Sequence, residues 1–309
     1  MRPHVRLLGV HPVLVGLLCL QAAVLLFDVL SFRSAGLTFV AVNARGAVTG
    51  LLAVVGVWGY FAAYPGRNPR EWVLGETFLV LALFLTLGAL LGPAQYGSAA
   101  LNRPYIDHAL AAADAAVGVD VSTYAVWTRQ HPLLADVLTR AYSTLLPQFF
   151  LPLLLLGFVL RDRKGLWEYI GLMHIAAAVT VICFALWPAA CPPQHYGFEP
   201  VGIDQSRVYR HLAGLREGAM TVVRADDLDG LVSMPSFHVL GAICVTWVFR
   251  RRWWIAAPLV VVNALLTLAT VATGVHYVVD VAASFALFPC IVWLYRRVEP
   301  LIEPGAVRQ

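Results

Sequence analysis

Long apolar runs with almost no charge recur from one end of this chain to the other, and they restrict its fold more than any other feature. A helix needs about 20 mostly apolar residues to cross the roughly 30 Å hydrocarbon core of a bilayer. Inside that core, only elements that satisfy their own backbone hydrogen bonds survive. Eight segments meet the requirement, some marginally: Gly9 to Leu30, Ala47 to Tyr64, Trp72 to Leu91, Leu145 to Leu160, Tyr169 to Ala189, Ser236 to Phe249, Trp254 to Ala272 and Tyr277 to Leu294. The expected fold is an all-α polytopic integral membrane helical bundle of about eight transmembrane helices, six at the fewest.

Composition agrees. The 309 residues are 60% hydrophobic and 13% charged, whereas a soluble domain is about 25% charged. The net charge of +4 is dispersed over many loops and gives no case for nucleic-acid binding. Lys164 is the sole lysine, a bias that points to a GC-rich bacterial genome. Cys19, Cys183, Cys191, Cys244 and Cys290 form no CxxC spacing, so neither a disulfide framework nor a metal cluster is expected. The apolar run after Arg2 and Arg6 is long enough to span and lacks a clear small-x-small site, so it reads as a retained first helix.

The positive-inside rule orients the bundle. With the N-terminus in the cytoplasm, 13 of the 22 basic residues fall in five short inner pieces, among them Arg161, Arg163, Lys164 and the Arg250–Arg252 cluster. Both termini are then cytoplasmic and the membrane is a bacterial inner membrane. Two long outer loops follow. Residues 92–144 carry apolar residues at helical spacing with Asp107, Asp114 and Asp136 between them, the mark of interfacial helices. Residues 190–234 carry Arg207, Arg210, Arg216 and Arg224. The expected units are 1–144, three transmembrane helices plus the interfacial helices; 145–298, a catalytic helical core; and 299–309, a cytoplasmic tail. Asp28, Glu76 and Glu168 read as residues near helix ends that reach the interface, His174 as a packed and hydrogen-bonded histidine, and Asn263 as a bond between helices.

One segment begins oddly. "SMPSFHVLGA" puts a Pro, a Ser and a His where an apolar helix is about to start. Taken alone, Ser236 is an ordinary N-cap. The run from Ser236 to Phe249, however, rises only about 21 Å, well short of the hydrocarbon core. Its Ser end therefore sits in a recess, where polar side chains are costly unless buried in protein or facing a wet cavity. A helix N-terminus there also suits a phosphate. The second feature is "TGVHYVVDVAAS", in which His276 and Asp280 lie four apart and share a helix face. Such a carboxylate fixes the tautomer of the imidazole and supports its positive charge. Two histidines, one with a carboxylate partner, together with a capping Ser and loop arginines make a phosphate site. One His can attack phosphorus while the other protonates the leaving oxygen.

The order P-S-x-H, followed about forty residues later by G-x-H-Y-x-x-D-V, resembles the type 2 phosphatidic acid phosphatase superfamily, best over Ala190 to Leu294. The resemblance implies His276 as nucleophile, Asp280 as its orienter and His238 as general acid, with phosphate held by Ser236 and the adjoining backbone at Phe237. Two departures stand out. Tyr96 occupies the place of the first-motif Lys ahead of Arg103-Pro104, and Ala269 and Thr270 occupy the places of the third-motif Ser-Arg. The "PSFH" and "HYVVDV" wording, with "LREG" at Leu215 to Gly218, is similar to the inositol phosphorylceramide synthase-like branch. Arg216, then Arg210, are the expected replacement phosphate ligands.

The expected function is therefore cleavage of a lipid phosphate ester on the extracytoplasmic face through a phosphohistidine. The phosphoryl or phospho-headgroup then passes to a lipid alcohol or inositol-type acceptor, or to water. The missing cations favour a diester substrate. No metal or organic cofactor is implied. The alternative is a transporter or flippase, and the gathering of polar residues at one face rather than at the midplane speaks against it.

Overall fold

The computed structural model describes residues 13–41, 44–63 and 69–302. Arg2, Arg6, Arg67, Arg308 and most of the expected 299–309 tail lie outside the described residues. The chain is 76% helical, an all-α membrane bundle as expected. Among the described residues, six helices are long and apolar enough to cross a membrane, or seven if one bent pair is counted as a span.

Those six are α1 (Val13–Ala35), α3 (Pro69–Ala100), a composite helix, α8 (Arg163–Leu186), α12 (Trp253–Ala272) and α13 (Val278–Ile302); α2 (Ala44–Ala63) is a further apolar helix. Its described apolar part is Gly50–Tyr60. In the first long loop lie α4 (Asp107–Ala116) and α5 (Val121–Arg129), bent by 81° to one another. The composite span differs from expectation. α6 (Pro132–Ser143) falls within the expected outer loop of residues 92–144, yet it runs on into α7 (Leu145–Pro152), because Thr144 keeps helical dihedrals of −72° and −15°. Pro152 cannot donate to the carbonyl of Gln148, and the chain continues as a π-helical turn over Leu153–Val159. A short α9 (Pro192–Tyr196) and α10 (Ser206–Arg216) occupy the second long loop.

α11 (Phe237–Val248) is the short helix anticipated from sequence. Its 12 residues rise about 18 Å, and Ser236 is its N-cap. One feature was not expected: two three-residue strands, Thr38–Val40 and Val222–Arg224, pair in parallel. They tie the α1–α2 connection to the loop before α11.

α8 is the axis of the bundle. Trp167, Tyr169, Ile170, Leu172 and Met173 are all fully buried, so it packs round most of its circumference. A helix apolar all round belongs in such a position. α1 and α2 instead leave Val15, Leu25, Leu51, Val54 and Trp58 exposed, as lipid-facing helices do.

Polar groups inside the bundle are matched in layers. At mid-depth Gln21 Nε2–H donates to Leu83 O and to His174 Nε2, both at 2.9 Å, while His174 Nδ1–H donates to Ile170 O at 2.8 Å. Asn263 Nδ2 donates to Ala242 O and Thr246 Oγ1, joining α12 to α11. At the end where α8 starts and α11 stops, Arg163 grips Glu76 through two 2.7 Å bonds, and Trp167 Nε1 donates to the same carboxylate. Glu168 accepts from Trp247 and Arg250, and Asp162 from Arg252. Asp28 departs from its expected interfacial place. α1 continues two turns past it to Ala35, leaving its carboxyl buried with Oδ1 unpartnered.

Candidate active site

The site lies at the opposite end from the arginine layer, where α11 and α13 begin. Ser236 is fully buried, and its Oγ accepts from Val239 N–H at 3.4 Å. That is the N-cap bond expected of a Ser in this place. The same Oγ lies 3.1 Å from His276 Nε2. His276 Nδ1–H in turn donates to Asp280 Oδ2 at 3.3 Å. With Nδ1 protonated against a carboxylate, Nε2 carries the lone pair and Ser236 O–H donates to it.

Asp280 is held as firmly as it holds. Its Oδ2 also accepts from Ser233 Oγ–H and from Tyr277 N–H, each at 3.0 Å. Ser284 donates back to Ser236 O and Asp280 O, stitching α11 to α13. The turn before His276 depends on Gly274, whose φ of +87° suits glycine; a Cβ there would also strike the Phe198 ring.

His238 faces His276 across a gap, with ring centres 6.3 Å apart. Tyr142 sets the orientation of His238. The two rings stack at 4.2 Å and 22°, and Tyr142 OH lies 3.4 Å from His238 Nδ1. The histidines open on a cavity of about 140 Å³ that Ser233, Phe237, Tyr142 and Cys191 also line. The first amides of α11, Phe237 and His238, precede its i→i−4 ladder and are free to meet an anion.

The expected site residues divide cleanly. Ser236, Phe237, His238, His276 and Asp280 come together. Arg216 and Arg210 do not line the cavity, and among the described residues neither does any other Arg or Lys. The Arg216 guanidinium donates to Arg103 O at 2.9 Å and covers the Tyr105 ring at 3.8 Å. Burial pushes the Tyr105 phenol up, so it stays a neutral platform for that cation. Arg210 is exposed and borders a separate open cleft with His211 and Asp227. Among the described residues no three His, Cys, Asp or Glu side chains gather as a metal site.

Sequence reasoning missed the struts. Asp107 accepts from Tyr277 OH at 3.0 Å and Ala190 N–H at 2.8 Å. Asp114 accepts from the Val278 and Val279 amides, and so caps α13 from another helix. The two aspartates are seven residues apart, hence on one face of α4, and that spacing was the available signal. Tyr142 left no local signal.

Fold and site thus define a polytopic helical membrane protein with a buried Ser–His–Asp chain facing a second histidine. Residues 108–294, more than half the chain, match the PAP2 superfamily, and the chain belongs to that family. Membership makes it a phosphatase-type enzyme acting on phosphate esters in a lipid setting. No curated protein and no solved structure matches the chain.

Proposed function

We propose that the protein transfers a phospho-headgroup between membrane lipids on the extracytoplasmic face of a bacterial inner membrane, in the manner of the inositol phosphorylceramide synthase-like branch. The observation that carries this reading is the Ser236–His276–Asp280 chain facing His238 over a shared cavity.

In the first step His276 Nε2 attacks the phosphorus of a phospholipid. The Nε2–P bond forms as the P–O bond to the leaving lipid breaks, and His238 donates its proton to that oxygen. Asp280 keeps the Nδ1 proton in place and stabilises the charge that develops on the ring. Ser236 O–H moves its hydrogen bond from Nε2 to a phosphate oxygen, alongside the Phe237 and His238 amides. In the second step an acceptor hydroxyl attacks phosphorus, its proton goes to His238, and the bonding pair returns to Nε2. A lining without fixed cations matches a singly charged diester better than a doubly charged monoester. This supports a phospholipid donor and a lipid alcohol or inositol-type acceptor.

The test uses purified protein in lipid vesicles with headgroup-labelled phospholipids, with and without ceramide or another lipid alcohol. Label should move to the added alcohol, and His276→Ala should abolish both release and transfer. Inorganic phosphate as the only product, or full activity in His276→Ala, would refute the reading.

A further inference from the structure

Part of the cavity wall is not helical. Residues 225–235 run from the short strand Val222–Arg224 to the Ser236 cap, and Gly230, Leu231, Val232 and Ser233 of this strap line the cavity. Ser233 Oγ–H donates to Asp280 Oδ2 at 3.0 Å, so the strap reaches the reacting histidine through one carboxylate. A segment without a ladder of its own must find partners for its backbone elsewhere. Its register therefore depends on what grips it from outside.

The grip comes from one face of α3. Gly92, Gln95 and Tyr96 stand at i, i+3 and i+4 and so share that face. Leu228 seats on Gly92, where a Cβ would come within 2.6 Å of its Cδ1. Gln95 Oε1 accepts from Leu231 N–H at 2.9 Å, while Gln95 Nε2–H donates to Leu91 O at 3.1 Å. Tyr96 is fully buried and lies outside the cavity lining. Its OH accepts from Asp229 N–H at 3.1 Å. Its one proton goes to the nearer acceptor, His211 Nδ1 at 2.6 Å, rather than to Asp227 O at 3.5 Å. An accepting Nδ1 leaves the ring proton on Nε2, which lies 3.3 Å from Asp227 Oδ2. The chain of bonds thus begins and ends on the strap, at the Asp229 amide and the Asp227 carboxylate, and passes through α3 and α10 between them. Arg207, one turn before His211, stands 3.8 Å from the carboxylates of both Asp227 and Asp229.

We propose that Tyr96, with His211 behind it and Gln95 beside it, is a positioning residue for the reaction. The three fix the register of the strap, so that Ser233 O–H stays on Asp280 Oδ2 and Asp280 stays on His276 Nδ1. Without the grip the strap slides, Ser233 leaves the carboxylate, and Asp280 is freer to turn from the imidazole it orients. Tyr96 and His211 act wholly through other residues, since neither lines the cavity. The inference rests on His276 as the reacting group and is the same whether the phospho-group passes to an alcohol or to water.

The test is a double-mutant cycle on turnover of a labelled phospholipid in vesicles. Tyr96→Phe leaves the Asp229 amide without its acceptor and should lower kcat by about fivefold, the effect of losing one hydrogen bond. Because Tyr96 acts through Ser233, adding Tyr96→Phe to Ser233→Ala should cost less than about a further twofold. A residue that only stabilises the fold would lower the thermal midpoint alike in both backgrounds and leave kcat where it was. His211→Leu should reproduce Tyr96→Phe, and His211→Asn, which keeps an acceptor in the place of Nδ1, should recover most of the loss. An unaltered kcat in Tyr96→Phe, losses that multiply in the double variant, or equal losses in His211→Leu and His211→Asn would overturn the proposal. If Tyr96→Phe does not fold, Gln95→Met, which strips the Leu231 amide of its acceptor, takes its place in the cycle with the same reading. His276→Ala separates the two levels. If that variant stays active, the assigned centre itself fails; if it is inactive while the losses multiply, only the positioning role is wrong.

Discussion

Asp114 accepts hydrogen bonds from the amides of Val278 and Val279 at 2.8 and 2.9 Å, from 164 and 165 residues upstream. The helix carrying Asp280 is thereby capped by α4 rather than by its own preceding residues. Asp107 supports the same turn through Tyr277 OH. Removing the cap should loosen the His276 turn. Asp114→Ala is expected to lower stability by about 1–2 kcal/mol and to lower kcat more than it raises KM. Asp114→Asn keeps one acceptor oxygen and should fall between. Thermal unfolding with steady-state kinetics checks both; an unaltered kcat in Asp114→Ala would show that the cap does not position the site.

Asp280 is the acceptor for His276 Nδ1–H, and an amide in its place can present N–H to that nitrogen instead. Asp280→Asn should therefore leave the fold intact and lower kcat by about 10³–10⁴, as wrong-tautomer substitutions do elsewhere. Ser233→Ala removes one of the donors to Asp280 Oδ2 and should cost about tenfold or less. Circular dichroism confirms the fold, and turnover of the labelled phospholipid reads the effect.

Tyr142 offers His238 a stacked face and a long hydroxyl contact. Tyr142→Phe keeps the face, so activity should change by about threefold or less. Tyr142→Ala removes it and should lower kcat by about tenfold or more. The ordering of the two variants is the measurement; a Phe variant as impaired as the Ala variant would assign the hydroxyl a direct part in proton transfer.

Cys191 lines the cavity, yet burial pushes its thiol up, and the nearby Asp107 carboxylate adds to the effect. A raised thiol pKa means less thiolate at every pH, and the thiolate is the reactive form. In a variant keeping Cys191 as its sole cysteine, a water-soluble maleimide should leave it unlabelled at pH 7.5 until the protein is denatured. Mass spectrometry of the labelled peptide tests this.

What could be read in advance was local. The Ser236 cap and the i, i+4 spacing of His276 and Asp280 depend on residues within a turn or two, and the structure places all three together. The stub length of α11 was equally plain, since the arginines that end it are adjacent in sequence. The aspartates of α4 were visible only as the polar face of an amphipathic segment, because their partners, three backbone amides and the Tyr277 hydroxyl, lie 83 or more residues away. Arg216 went astray for the same reason. Its competing partners, a carbonyl at Arg103 and the Tyr105 ring, are brought to it by folding and carry no mark in sequence. The division at Thr144 failed more simply. A threonine there can begin a helix or continue one, and here it continues.

The brevity of α11 is absorbed inside the protein. An element rising about 18 Å cannot match an apolar slab of about 30 Å, yet no residue from Phe237 to Val248 is exposed, so the shortfall falls on neighbouring side chains rather than on lipid. A short helix enclosed by long ones leaves a protein-walled well at its N-terminus, and a phosphate reaching Ser236 enters that well rather than the surrounding bilayer.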